Sequence, residues 1–364
     1  MEKLNLHDWH EGSGAQFTTL DGAEVPAHYG NLQAEYDALH QSVGVLDLSF
    51  RSRLCLTGAD RVRFLHGQVT NDIKRLHTGE GCYAVLVTAK GRMESDLNVY
   101  CLAEELLLDF EPGLAEAVSL RLEKYIVADD VQVVNVAAIY GLLSVQGPKA
   151  GEVLSNLGLF GELPARAFQF RTIADANLGE IYLINRPRGG TGGFDLFVPA
   201  TAQLELVEKL VSTAKAAKGC LCGWQALEMA RIEAGIPRFG VDMDANTFPQ
   251  ECGIESQTVS YTKGCYIGQE VLNRIHTQGH VNRELRGLRL ADDLSALPVK
   301  GDKLLRGSKD VGMITSALAS PALKANFALG YVRREANQIG AELLLRSSAG
   351  ESTAKIIELP FRAG

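Results

Sequence analysis

The 364-residue sequence predicts an α+β protein that closes in a smaller all-β domain. Three observations carry that expectation. Helix-period and strand-period apolar patterns are mixed along the chain up to about residue 280. Beyond roughly residue 281 the texture changes to short β-like runs separated by Gly, Asp and Ser, with no long helical pattern. A chain of 364 residues also exceeds what one core organises, so two or three domains are expected. The division is 1–280 for the α+β region and 281–364 for the β domain.

Taken in order, Leu32, Tyr36, Leu39 and Val43 recur at helical spacing, and Gly44 stops the helix. "RSRLCLTG" then reads as a strand and "ADRVRFLHGQV" as a helix. The segment "GEGCYAVLVTAKGRMESDLNVYCL" is two β-rich runs joined at Lys90-Gly91, a hairpin signal. "PGLAEAVSLRLEKYIV" is helical, "VQVVNVAAIYGLLSVQG" returns to strands, and helices recur at 201–216 and 224–234.

Composition excludes several function classes. A net charge of −8 argues against a broad nucleic-acid footprint. Apolar runs such as "AVLV" and "IYLI" fall far short of the ~18 residues of a membrane span. The N-terminus "MEKLNLHDWHEGSGAQF" is mixed in charge and lacks the apolar core of a signal peptide, so a cytoplasmic location is expected.

No metal is expected either. The seven cysteines include no C-x-x-C, and Cys220-Leu221-Cys222 is too tight for the usual zinc knuckle, reading instead as a buried pair. His276 and His280 are spaced four apart but enclose Gly279 and no glutamate. "DMDANT" (242–247) starts like a calcium loop, yet Thr247 stands where the turn needs glycine and Gly253 where the chelating glutamate belongs. "GSGAQF" has no strand before it, so no dinucleotide cradle is supported.

Two stretches point to chemistry. Met93 to Tyr100 alternates, placing Glu94, Asp96, Asn98 and Tyr100 on one face of a strand. Two carboxylates, an amide and a phenol on one face suit a polar ligand, although a solvated outer face has the same pattern. Tyr83 shares a face with Val85 and Val87, which leaves open whether its hydroxyl joins this group. The second stretch is "TKGCYIGQEV" (262–271). Thr262 is expected to cap a helix beginning near Tyr266, with Cys265 in its first turn or just before it. Lys263 and the helix dipole would then acidify the thiol, while Gln269 and Glu270 reach back to free amides. A buried small residue remains the alternative for Cys265.

"KGCYIGQE" (263–270) resembles the signature of the YgfZ-type folate-binding proteins, relatives of the glycine-cleavage T-protein, an aminomethyltransferase. The resemblance covers nearly the whole chain. It continues through "VGVLDLSFRSRLCLTGAD" (43–60), "FLHGQVTND" (64–72), "VQGPKA" (145–150), "GGFDL" (192–196), "ARIEAGIPRFGVDMDANTFPQE" (230–251) and "TSALASPAL" (315–323). It implies a three-domain ring of the aminomethyltransferase type, with two interleaved α+β modules, a C-terminal β-barrel and a folate pocket at the centre. By position, it implies that Asp96 is the catalytic carboxylate, that Tyr83 and Tyr100 contact folate, and that Asp195 grips the pterin ring. Lys263, Gly264, Tyr266, Gly268, Gln269 and Glu270 frame Cys265, which the resemblance ties to function.

Three positions depart from the T-protein pattern: Leu227 stands for an arginine, Phe50 for a histidine and Arg188 for a tyrosine. The resemblance therefore implies tetrahydrofolate, or a one-carbon-substituted folate, as cofactor. It implies a role in iron–sulphur cluster assembly or repair with iron–sulphur client proteins as partners. The alternative is a folate-dependent aminomethyltransferase of one-carbon metabolism acting on a lipoyl carrier protein. A third reading is a demethylase module dependent on a partner for its flavin.

Overall fold

The computed structural model describes residues 3–361. The chain forms two compact units, Met1–Leu86 with Ser95–Ala230, and Val87–Glu94 with Arg231–Gly364.

The first unit opens with α1 (His7–Gly12), the hairpin β1 (Gln16–Leu20) and β2 (Ala23–His28), and α2 (Leu32–Gln41). Asn31 caps α2 by accepting a 3.1 Å hydrogen bond from the Ala34 amide, and Tyr36 and Leu39 are buried as their spacing predicts. β3 (Gly44–Asp47) starts one sheet, but the chain then leaves to build another. That second sheet is made by β4 (Ser52–Thr57), α3 (Arg61–Gln68), β5 (Glu80–Val87), β6 (Met93–Cys101), β7 (Leu106–Phe110), α4 (Ala115–Glu123) and β8 (Gln132–Asn135). Its strand order is β5-β6-β7-β4-β8. The chain returns through β9 (Tyr140–Gln146), α5 (Ala150–Asn156), β10 (Phe170–Asp175), β11 (Gly179–Asn185), β12 (Gly193–Pro199), α6 (Gln203–Ala216) and β13 (Cys220–Leu221). These complete a six-stranded sheet ordered β10-β11-β12-β9-β3-β13. One module is thus inserted within the other, and α7 (Trp224–Glu233) follows.

Strand alternation then fixes the layers. Val45, Val145, Leu196 and Val198 pack with Leu206 and Leu210 of α6 on one face of the six-stranded sheet. Leu97, Val99, Leu106, Leu108 and Phe110 form the core behind the five-stranded sheet. The remaining faces share one cluster, in which Leu46, Leu142, Ile184 and Phe197 meet Tyr100, Leu107 and Cys55. Polar residues on β6, β7 and β12 that alternate with the outer cores therefore point into the space between the two sheets.

The second unit contains residues 87–94, at the turn of the β5–β6 hairpin, and α8 (Glu255–Thr258) and α9 (Gln269–Gln278). It ends in six strands: β14 (Arg283–Leu290), β15 (Lys303–Arg306), β16 (Lys309–Ser320), β17 (Ala325–Arg333), β18 (Glu342–Ser347) and β19 (Gly350–Ile357). They close a barrel in the order β14-β17-β16-β15-β18-β19 around Leu288, Leu304, Ile314, Val332, Leu345 and Ile356. A closed barrel has no unpaired edge. No described helix is long and apolar enough to cross a membrane.

Candidate functional site

β6 sends Leu97 and Val99 into the outer core and Asp96, Asn98 and Tyr100 toward the space between the sheets. Glu94, expected on the same face, belongs to the second unit. The open question about Tyr83 is answered by a hydrogen bond: its hydroxyl donates to Asp96 Oδ2 at 2.6 Å. Asp96 Oδ1, Asn98 Oδ1 and the Tyr100 hydroxyl are all enclosed without a hydrogen-bond partner among the described residues. Buried polar atoms are nearly always paired, so three orphans on one strand face mark a place where a heteroatom-rich ligand fits.

The electrostatics of this face are set by groups on other strands. Burial pushes the Asp96 carboxyl up to about 6, and the negative charge of Glu111 adds to it, against the Tyr83 hydrogen bond and Arg51. Arg51 donates from Nε to Asp109 Oδ1 at 2.7 Å and from Nη1 to Glu111 Oε1 at 2.6 Å. Asn98 Nδ2 donates to Asp109 Oδ2 at 2.8 Å, and Arg188 Nη2 donates to the same oxygen at 2.9 Å. Burial alone would raise the Asp109 carboxyl, but Arg51 and Arg188 outweigh it and hold the group well below the usual carboxylate range. The Tyr100 phenol is pushed up by burial and then by the charges of Asp109 and Asp195, so it stays protonated.

Asp195 sits on β12 opposite Ser144 of β9, which donates to its Oδ1 at 2.7 Å. Gln146 continues the chain, donating to Ser144 Oγ at 2.8 Å and accepting from the Arg188 amide at 2.8 Å. Arg188 Nε lies 3.1 Å and 2.9 Å from the two Asp195 oxygens, and its Nη2 lies 2.7 Å from Oδ2. Arg188 therefore ties β12 to β7 through two carboxylates, both of them 0% exposed. A ligand edge bonded by Asp195 must displace this guanidinium. Around the cluster the wall is apolar: Leu227 is 4% exposed, and Phe50 meets Trp224 edge-on at 5.4 Å.

Sequence reasoning named Asp96, Tyr83, Tyr100 and Asp195, and it missed Arg51, Asp109, Glu111, Ser144 and Gln146. One signal was present. Asp109 interrupts the apolar run "LLLDF" of β7, where all five residues are buried, and a carboxylate in such a run needs a partner.

The cysteine motif, in the second unit, differs from expectation. Helix α9 begins at Gln269 and not near Tyr266, and Thr262 does not cap it. The cause is Gly268, held at φ 84° with its backbone so close to Thr88 that a Cβ would lie 2.5 Å from the carbonyl oxygen. A left-handed residue interrupts the right-handed helix, leaving Cys265 outside the first turn. The Glu270 carboxylate accepts from Arg274 at 3.0 Å, and no side chain caps the helix start, so the expected reach of Gln269 and Glu270 to free amides is not made. Lys263 is buried with its ammonium 4.7 Å from the Tyr266 ring centroid. Cys265 itself is exposed. His276 accepts or donates at 2.9 Å with Glu255 and stacks on Tyr261. Among the described residues no cluster of three or more His, Cys, Asp or Glu is arranged for a metal.

An interleaved α+β region with a buried carboxylate–arginine cluster, followed by a six-stranded barrel, defines a recognisable class. The profile described as GCVT N-terminal domain matches residues 6–263, and the Glycine cleavage T-protein C-terminal barrel domain matches residues 283–362. The chain belongs to the glycine-cleavage T-protein (aminomethyltransferase) superfamily. Similar proteins include an aminomethyltransferase of Halalkalibacterium halodurans, 28% identical over 365 residues that cover 99% of this chain and 98% of the relative. Another, from Synechococcus sp., is 30% identical over 351 residues, 96% of this chain and 95% of the relative. Among solved structures, the glycine cleavage system aminomethyltransferase T of Bartonella henselae superposes with a TM-score of 0.89 at 24% identity, covering 100% of this chain and 98% of that one. That likeness speaks for the fold.

Proposed function

We propose that this protein binds tetrahydrofolate, or a one-carbon-substituted form of it, against the polar face of β6 and takes part in aminomethyltransferase-type one-carbon transfer. The observation that carries the reading is the Tyr83–Asp96 pair: Tyr83 pins Oδ2 at 2.6 Å while Oδ1 stays unpartnered. Membership of the superfamily and the run of similar aminomethyltransferases support it. The bound folate would supply the nitrogens that carry the one-carbon unit. Asp96, with its carboxyl lifted to about 6, exchanges a proton near neutral pH, where a general acid–base group works best. Tyr100 and Asn98 offer a donor and an acceptor to orient the ring system, and the apolar wall at Phe50, Trp224 and Leu227 excludes water. Asp195 grips the pterin edge once Arg188 gives way. Asp96→Asn is expected to keep most of the tetrahydrofolate affinity in calorimetry. It should also abolish release of ammonia and methylene-folate from an aminomethyl-lipoyl carrier protein. Unchanged turnover in the variant rejects Asp96 as the acid–base group.

A second reading is favoured by one observation. Of the seven cysteines only Cys265 is exposed, within the octapeptide that resembles the folate-binding, iron–sulphur-supporting branch. In this reading the folate site is kept and the function runs through the Cys265 thiol. Loss of iron–sulphur enzyme activity in cells carrying Cys265→Ser, in a protein without transferase turnover, supports it over the first.

A further inference from the structure

We infer that Cys220 and Cys222 form a redox-active dithiol site that reacts with low-molecular-weight disulfides, Cys220 attacking and Cys222 resolving. Cys220 opens β13, a short strand that runs parallel to β3 at the edge of the six-stranded sheet, and Cys222 directly follows it, its amide continuing the ladder by donating to the Val45 carbonyl of β3 at 2.8 Å. Alternate residues of a strand share a face, and here the two sulfurs lie 3.8 Å apart. Their surroundings differ in the way such a pair requires. Cys220 is half-buried and lines a cleft of about 560 Å³ together with Trp9, Tyr29, Glu208 and Lys215. Cys222 is 2% exposed beneath it, packed so closely on β3 that a Cβ at Gly44 would lie 2.6 Å from its sulfur.

The hydrogen bond between the sulfurs divides their acidity. Contact with Cys222 draws the Cys220 thiol down, against burial, while contact with Cys220 and burial push Cys222 up. The more acidic thiol is thus the one that a reagent in the cleft reaches. The Glu35 carboxylate, which accepts from the Tyr29 amide at 2.6 Å and the Gly223 amide at 2.8 Å, raises both thiols, but on Cys220 it is outweighed by the contact between the sulfurs.

The reaction balances without any other oxidant. The Cys220 thiolate attacks one sulfur of the small disulfide, forming a mixed disulfide and expelling one thiolate, which takes a proton from water. Cys222 gives up its proton and attacks the Cys220 sulfur, forming the Cys220–Cys222 bond and releasing the second small thiol. The protein dithiol is oxidised and the small disulfide is reduced to two thiols. Alternate Cα atoms of a strand stand about 6.6–7 Å apart, at the upper limit for a disulfide, so the bridge is strained and readily reduced again. That lability suits a reversible site and not a structural staple.

Non-reducing peptide mass mapping of the full chain after incubation with glutathione disulfide tests this. The parent is expected to yield a peptide containing Cys220 and Cys222 that has lost two hydrogens. Cys222→Ser should stop at one glutathione moiety on Cys220, and Cys220→Ser should show neither product. Iodoacetamide at pH 7 should label Cys220 roughly tenfold faster than Cys101, another half-buried thiol, whose pKa is raised by burial. Both thiols of the parent remaining free after oxidation, or Cys220 labelling no faster than Cys101, overturns the inference, and neither readout depends on a variant folding.

Discussion

Arg188 holds both oxygens of Asp195, and the same guanidinium reaches Asp109 on the other sheet. Removing one partner of a buried, hydrogen-bonded charge pair typically costs about 3–5 kcal/mol, because the other charge is left uncompensated. Arg188→Leu is therefore expected to lower the unfolding free energy by about that amount in urea titration, and adding Asp195→Asn should recover part of the loss. Equal stability of Arg188→Leu and parent would show the pair to be energetically idle.

Asp195 also carries a binding prediction. Hydrogen bonds to a charged group contribute about 1.5 to 3 kcal/mol, so Asp195→Ala should weaken tetrahydrofolate roughly 10- to 150-fold. Calorimetry giving the same affinity for both proteins would remove Asp195 from the ligand site.

Asp96 should make stability depend on pH. Its folded pKa of about 6 lies above the ordinary carboxylate value of 3.8, so the folded state binds the extra proton. Its contribution is favourable below about pH 4, falls as pH rises toward 6, and is lost above that. Asp96→Asn lacks this dependence. The variant is expected to gain about 1–3 kcal/mol relative to the parent between pH 4 and pH 7.5. A constant difference across that range would contradict the raised pKa.

Tyr83 opposes that rise, because its hydrogen bond stabilises the charged carboxylate. In Tyr83→Phe the Asp96 pKa should climb further. If transfer requires ionised Asp96, the acid limb of the pH–rate profile moves to higher pH. An unmoved limb, with intact folate binding, would mean that the profile reports another group.

Cys265 should be the first thiol alkylated under native conditions, with Cys55, Cys222 and Cys252 protected until the chain is denatured. Cys265→Ser is expected to leave the melting temperature and folate affinity nearly unchanged. Peptide mapping in which Cys265 stays unlabelled in the native protein would return it to the buried alternative.

How far the sequence foretells this site depends on how local the cause is. The face of Asp96, Asn98 and Tyr100 is readable because period two is a property of nine consecutive residues in β6. The cluster of Arg51, Asp109, Arg188 and Asp195 is not, since its members come from separate segments and only the crossing of two sheets unites them. The helix start at Gln269 is misread for a related reason: the Thr88 carbonyl and the Val87 side chain, far off in sequence, select glycine and its left-handed conformation at 268. The β1–β2 hairpin leaves little trace because β1 is mostly exposed, so no apolar alternation marks it. Asp195 interrupts a buried apolar run just as Asp109 does, which signals that it needs a partner, but its assignment to the ligand came only through the resemblance of "GGFDL".

The division of the second unit between Val87–Glu94 and Arg231–Gly364 has a consequence for how the protein is made. During synthesis the hairpin tip leaves the ribosome early, while everything it packs with in its own unit is still untranslated. At ordinary elongation rates the wait is on the order of ten seconds, long enough for the first unit to fold around a hairpin whose end is exposed. A nascent chain stalled near residue 230 should therefore be cut by protease at 87–94, and the finished protein should resist at the same place.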